Sequence, residues 1–213
     1  MLSLISFSNR KDYTHSKHSQ RVSKYAVLLA EALGIEDRDY LHGLEQGALL
    51  HDIGKACIPA SILLKPHKLN PYERALIMEH PLFGYDLISE FDLLKRASRI
   101  VLYHHENYDG TGYPYGLKGK DIPLEARVFA IADTLDAITS HRPYRRARSF
   151  KMAFEEIKKG SGTQFDPVII DAFFSITPEL WQEIKQDMPY YSYLQTVHFV
   201  LNPPITRISW NIQ

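Results

Sequence analysis

Histidine and aspartate recur in this sequence where they could hold metal ions. His51-Asp52 closes an apolar stretch and is followed by Ile53-Gly54-Lys55. His104 and His105 are adjacent and lead into Glu106, and His80 precedes Pro81. Asp133 and Asp136 stand three apart, which places them on one face of a helix. That face is otherwise apolar, with Ile131, Ala132 and Ala137 alongside. Buried carboxylates need partners; a metal ion is one, and backbone or arginine hydrogen bonds are the alternative. Imidazole combined with carboxylate suits Fe, Mn, Zn or Ni. Every donor is nitrogen or oxygen, and the single cysteine, Cys57, is not needed. Such a donor set disfavours a structural zinc site and favours an open, hydrolytic, multi-metal site.

The elements that would position these groups are helical nearly throughout. Val22, Tyr25, Ala26, Leu29 and Leu33 form one apolar stripe, stopped at Gly34. Leu41, Leu44, Ala48 and Leu49 form a second, ending at His51-Asp52 and broken by Gly54, which would let Lys55 turn back toward the same place. Asn70-Pro71 with Glu73 signals a helix start, and that helix runs toward His80 and breaks near Pro81. Asp92 is expected to cap a helix that ends at His104-His105. A Gly- and Pro-rich loop, Asp109 to Pro123, precedes a long helix carrying Asp133 and Asp136. Ser149, Asp166-Pro167 and Thr177-Pro178 are further helix starts. Residues 190–213 are aromatic, β-branched and poor in charge, consistent with a strand pair or a strapping tail.

Composition narrows the function. The 213 residues carry 25 Lys plus Arg against 25 Asp plus Glu, so a general DNA or RNA binder is not expected. No apolar run reaches a membrane span, and residues 1–10 lack a charged n-region and a clear cleavage site. One cysteine allows no internal disulfide, which points to a reduced, cytoplasmic setting with Cys57 as a buried thiol.

The motifs together resemble a known family. His51-Asp52-Ile53-Gly54-Lys55 is similar to the HDxGK signature of the HD superfamily of metal-dependent phosphohydrolases. His104-His105-Glu106-Asn107-Tyr108-Asp109-Gly110-Thr111-Gly112-Tyr113-Pro114 fills every fixed position of the HHExxDGxGYP motif of the HD-GYP subfamily. His80-Pro81 with Gly84, Ile131 to Ala137, Arg142-Pro143-Tyr144-Arg145 and Gly162 to Pro167 resemble that subfamily's HPxxG, IADxxDA, RPYR and GTQFDP elements, in the same order.

The resemblance implies an all-α fold, an HD-domain helical bundle with additional helices. It would occupy residues 12–176, after a lead-in of 1–11 and before an extension of 177–213 of unknown role and uncertain structure. It further implies a bacterial signalling enzyme, a phosphodiesterase that hydrolyses cyclic di-GMP to pGpG, GMP or both. Metal ligands carry over to His18, His51, Asp52, His80, His104, His105 and Asp133. His18 is assigned because His18-Ser19-Gln20-Arg21-Val22 resembles the HSxRV segment. Members with a third ion place a glutamate four residues before that histidine; here it is Thr14, so two ions, Fe or Mn, are expected, with His15 as a conceivable substitute ligand.

In that scheme Asp52 is shared. His18, His51 and Asp133 hold one ion, and His80, His104 and His105 hold the other. The pair would activate a hydroxide for attack on phosphorus. Lys55 is expected to assist catalysis and bind phosphate. Tyr113, Arg142 and Arg145 are expected on the substrate, and Asp136 behind a ligand or Lys55. Asp109 is expected to tie its loop by local hydrogen bonds. Two alternatives remain: a weakly active module that binds cyclic di-GMP or a GGDEF-domain partner, or another HD nucleotide phosphohydrolase. The complete Gly-Tyr-Pro loop and the retained ligands and lysine argue against both.

Overall fold

The computed structural model describes residues 13–141 and 145–186, with the side chains of the first helix from Lys17 onward. The first apolar stripe forms α1 (Tyr13–Ala32), whose Val22, Tyr25, Ala26, Leu28 and Leu29 are fully buried. The second forms α2 (Arg38–Leu50), which Asp37 caps by accepting from the N–H groups of Asp39 and Tyr40. A 3-10 turn (Ile53–Cys57) and a short α3 (Ala60–Leu63) follow. α4 (Pro71–Met78) opens with a capping box between Asn70 and Glu73, and α5 (His80–Ile88) starts directly after it, with Pro81 in its first turn.

α6 (Lys95–Tyr103) delivers His104 at its C-cap. Asp92 is not its cap. Asp92–Leu94 form a separate 3-10 turn, and α6 begins two residues later than a cap at Asp92 would place it. Asp92 is solvent-exposed, and its oxygen faces Lys95 across 3.4 Å instead of an orphan N–H.

The long helix is α7 (Leu124–Thr139). α8 (Phe150–Lys159) is capped by Ser149 and α9 (Pro167–Ser175) by Asp166. α10 (Pro178–Lys185) has no side-chain cap from Thr177. Among the described residues there is no strand, and no helix is long and apolar enough to cross a membrane. Residues 190–213, Arg142, Thr14 and His15 lie outside the described residues or side chains.

α1, α2, α6 and α7 form the central bundle, with α5 laid against α6 and the 3-10 turn, and α8 against α7. One large apolar cluster runs from Val22 to Ile184. α10 belongs to it: Leu180, Trp181 and Ile184 are buried, and Trp181 stacks on Phe173 and meets Tyr25 edge-on. A smaller cluster of Ile88, Leu94, Ala97 and Val101 sits beneath α5.

Gly54 has a different reason from the one the sequence suggested. It lies inside the 3-10 turn, where the backbone passes against α5. A Cβ there would stand 2.0 Å from the His80 carbonyl oxygen and 2.4 Å from the Gly84 nitrogen. The requirement is close backbone approach, and it ties the His51-Asp52 segment to the His80 helix. Cys57, at the end of this turn, is exposed, not buried: the 3-10 geometry rotates it away from the core.

Candidate metal centre

Three histidines occupy equivalent places at helix ends. His51 is the C-cap of α2, His104 the C-cap of α6, and His80 follows the last turn of α4. Each places Nδ1 on the carbonyl oxygen three residues earlier: His51 on Ala48 at 2.8 Å, His80 on Ile77 at 2.7 Å, His104 on Val101 at 2.9 Å. A carbonyl only accepts, so Nδ1 must carry the proton. With Nδ1 so committed, Nε2 points away from the helix. Helix C-termini supply carbonyls that lack an intrahelical partner, so the last turns orient these rings at no cost to the helices.

The Nε2 atoms converge. His80, His104 and His105 offer ligand atoms that all lie within 4.8 Å of one another, and so do His18, His51 and Asp133. Asp52 stands between the groups: Oδ2 is 3.3 Å from His51 Nε2 and Oδ1 is 3.4 Å from His80 Nε2. Lys55 Nζ donates to Asp52 Oδ2 at 2.6 Å. Burial would raise the Asp52 pKa, but His51, His80 and Lys55 hold it well below the usual carboxylate range.

The remaining protonation states suit ligation. Burial and the neighbouring His105 and His51 push His104 well below the ordinary histidine range. Burial and His80 push His105 down to about 4. His51 and His18 go the other way: burial opposes the charge on each, but Asp52 outweighs it and raises His51, and the Asp133 and Asp136 carboxylates raise His18 to about 9. In the metal-free protein a proton therefore sits where an ion would compete for the ring.

Two features fit this donor set to cations. Asp133 Oδ1 is buried and faces His18 Nε2 at 3.2 Å, so its charge is met there by the His18 proton or by an ion in its place. His80 Nε2 and His104 Nε2 face each other at 3.2 Å, and as neutral rings with Nδ1 protonated they oppose two lone pairs. A cation resolves both arrangements.

Behind His18, Asp136 is fully buried and accepts from His18 Nδ1 at 2.7 Å. Arg21 grips both Asp136 oxygens, at 2.6 and 3.0 Å, and Ser140 donates to Oδ2 at 3.0 Å. Lys185 from α10 lies 3.4 Å from Oδ1 and also donates to Ser140. Asp136 thus contacts His18 and not Lys55. Sequence reasoning missed Arg21, Ser140 and Lys185. Arg21 left a signal, since it follows His18 by one helical turn; Lys185 left none.

Tyr113 stacks on the His105 ring, centroids 4.6 Å apart at 22°, and burial together with Asp52 pushes its phenol up to about 12. Asp109 accepts from Thr111 N–H and Oγ1, closing its loop locally. Arg145 is exposed and donates to the Ala137 carbonyl at the end of α7. Phe129 packs against both His51 and His104, a wall the motifs did not mark.

The family profile described as HD domain matches residues 6–169, which includes all of the histidines and aspartates at this centre. The chain belongs to the HD-domain family. It is 41% identical over 174 residues to a cyclic di-GMP phosphodiesterase response regulator of Xanthomonas campestris, covering 81% of this chain and 46% of that protein. It is 36% identical over 182 residues to a cyclic di-GMP phosphodiesterase of Thermotoga maritima, covering 84% and 49%. Among solved structures it resembles an HDGYP protein from Bdellovibrio bacteriovorus, with a TM-score of 0.59 and 26% identity over 74% of this chain and 50% of that one. The chain therefore spans about half the length of the curated relatives it matches. In this HD domain the two clusters of histidine and aspartate lie at the ends of α2, α4 and α6 and on the faces of α1 and α7.

Proposed function

We propose that this HD domain is a phosphodiesterase that hydrolyses cyclic di-GMP to pGpG, GMP or both, using two divalent ions, Fe or Mn. The observation that carries this reading is the position of Asp52, with one oxygen toward His51 and the other toward His80. A carboxylate so placed can join two ions, His18, His51 and Asp133 holding the first and His80, His104 and His105 the second. Two such ions, when bound, supply Lewis acidity that lowers the pKa of a coordinated water and offsets charge on phosphorus.

The chain's own groups do the rest. The Ala48, Ile77 and Val101 carbonyls keep three rings turned so that Nε2 faces the site. Lys55, anchored on Asp52 and 36% exposed, brings a mobile positive charge to the same place, suited to a phosphate oxygen. Tyr113 forms an aromatic wall on His105. Arg142 and Arg145 offer planar forks for phosphate or a guanine edge. The substrate assignment is supported by the identity to two cyclic di-GMP phosphodiesterases.

The test is incubation of metal-loaded protein with cyclic di-GMP and, separately, a mixed cyclic GMP-AMP, with products resolved by chromatography. The reading expects linear pGpG or GMP from cyclic di-GMP, and a loss of about a hundredfold in Lys55→Ala with metal retained. Tight dinucleotide binding without turnover at full metal loading would overturn it and leave a binding module.

A further inference from the structure

Glu106 joins the ligand residues to the Gly-Tyr-Pro loop. Its side chain is buried, and its two oxygens accept from two backbone N–H groups, Tyr115 at 2.8 Å and Leu117 at 3.0 Å. Both donors lie on the returning limb of the loop, nine and eleven residues further along the chain. The turn between is pressed onto the segment that starts it. A Cβ on Gly112 would stand 2.3 Å from the Asn107 nitrogen and 2.5 Å from Glu106 Cα. Tyr113 N–H donates to the His105 carbonyl at 3.1 Å, and its ring lies flat on the His105 imidazole.

The other side of the loop is tied independently. Tyr108 N–H donates to the Gln164 carbonyl at 3.2 Å and Asp109 N–H to the Thr163 carbonyl at 2.8 Å. Gly119 N–H closes the base on the Tyr108 carbonyl at 2.8 Å. Within this frame Glu106 provides the side-chain acceptors for two N–H groups on the returning limb, donors that would otherwise be stranded next to the site.

We propose that Glu106 is a positioning residue that holds Tyr113 against His105 and thereby sets the wall of the substrate cleft. Glu106 has no reach to the reacting atoms through this arrangement; it acts through the loop. The role in the cleft rests on the phosphodiesterase reading above, whereas the anchor itself does not.

Glu106→Gln is the informative change. It keeps the shape and one acceptor but turns an amide nitrogen toward an N–H donor, whereas alanine would strand both donors. In metal-free protein, amide exchange at Tyr113, Tyr115 and Leu117 is expected to quicken about tenfold in Glu106→Gln, with α6 and α7 unchanged. In metal-loaded protein, Glu106→Gln is expected to raise KM for cyclic di-GMP about tenfold, the loss falling on KM rather than kcat. Tyr113→Ala is expected to do the same. The double variant is expected to match Tyr113→Ala within about twofold, because the two changes remove one interaction. Unchanged loop exchange overturns the inference whatever the activity. Multiplying KM effects in the double variant overturn it as well, since Glu106 would then act by a route other than Tyr113. Absence of turnover in the unaltered protein contradicts the phosphodiesterase reading and removes the cleft role with it.

Discussion

His80 and His104 face each other through Nε2 atoms 3.2 Å apart, each with Nδ1 committed to the carbonyl three residues earlier. Neutral rings so fixed present two lone pairs to one another inside the protein. The arrangement is unfavourable alone and becomes favourable when a cation shares both nitrogens, with His105 alongside. A ligand that binds only the folded state stabilises it by mass action. Mn at a hundredfold excess over its dissociation constant should therefore add about 2.7 kcal/mol per site. For a chain of this size that is a rise in Tm of about 5–10 °C for one site. Scanning calorimetry with and without chelator checks it, and His104→Ala should remove much of the rise.

Asp136 fixes the tautomer of His18 by accepting from Nδ1 at 2.7 Å, leaving Nε2 toward Asp133. Asp136→Asn should cost about 10–100-fold in affinity for the ion at His18, His51 and Asp133. The group at His80, His104 and His105 does not touch Asp136 and should keep its ion. A two-site Mn titration would separate the two effects.

The same histidine gives the metal-free protein a pH dependence. The folded His18 pKa is about 9 against an ordinary 6.5, because Asp133 and Asp136 outweigh burial. A raised pKa contributes stability that is fully present below about 6.5 and is lost as pH rises through about 9. The contribution is at most about 3 kcal/mol. Denaturant unfolding of chelated protein should weaken across that window, and the weakening should disappear in His18→Ala. Ion binding at the same ring should strengthen over the same range, since the ion displaces the proton.

Gly54 is where the His51-Asp52 segment and the His80 helix touch backbone to backbone. Alanine there puts a methyl group 2.0 Å from the His80 carbonyl, and the obstacle is main chain that cannot rotate aside. Gly54→Ala should destabilise the fold by about 3 kcal/mol and displace Asp52 from His80. Equilibrium unfolding measures the first effect and metal content the second.

Much of the frame was legible because its signals are local. Asn70, Ser149 and Asp166 cap the helices they precede, and Pro81 marks the junction between α4 and α5. The histidines and aspartates were legible as motifs, and the fold brings His80, His104 and His105 together at one place and His18, His51 and Asp133 at another. What was not legible depends on residues far apart in the chain. Lys185 approaches Asp136 across 49 positions, and nothing near Lys185 hints at it. The role of Gly54 depends on where α5 passes, not on the glycine's own backbone preference. Asp92 failed as a cap because a 3-10 turn intervenes before α6, a local alternative that the apolar spacing does not distinguish. Cys57 was misplaced for the same reason.

The most direct test of the account is turnover of cyclic di-GMP by anaerobically purified protein, with metal content quantified on the same sample and His51→Ala and Asp52→Ala run beside it. The account predicts about two Fe or Mn per chain, turnover in the unaltered protein, and loss of both turnover and metal in the two variants. A protein that binds about two ions but leaves cyclic di-GMP intact, or that turns it over at full rate without Asp52, would contradict it.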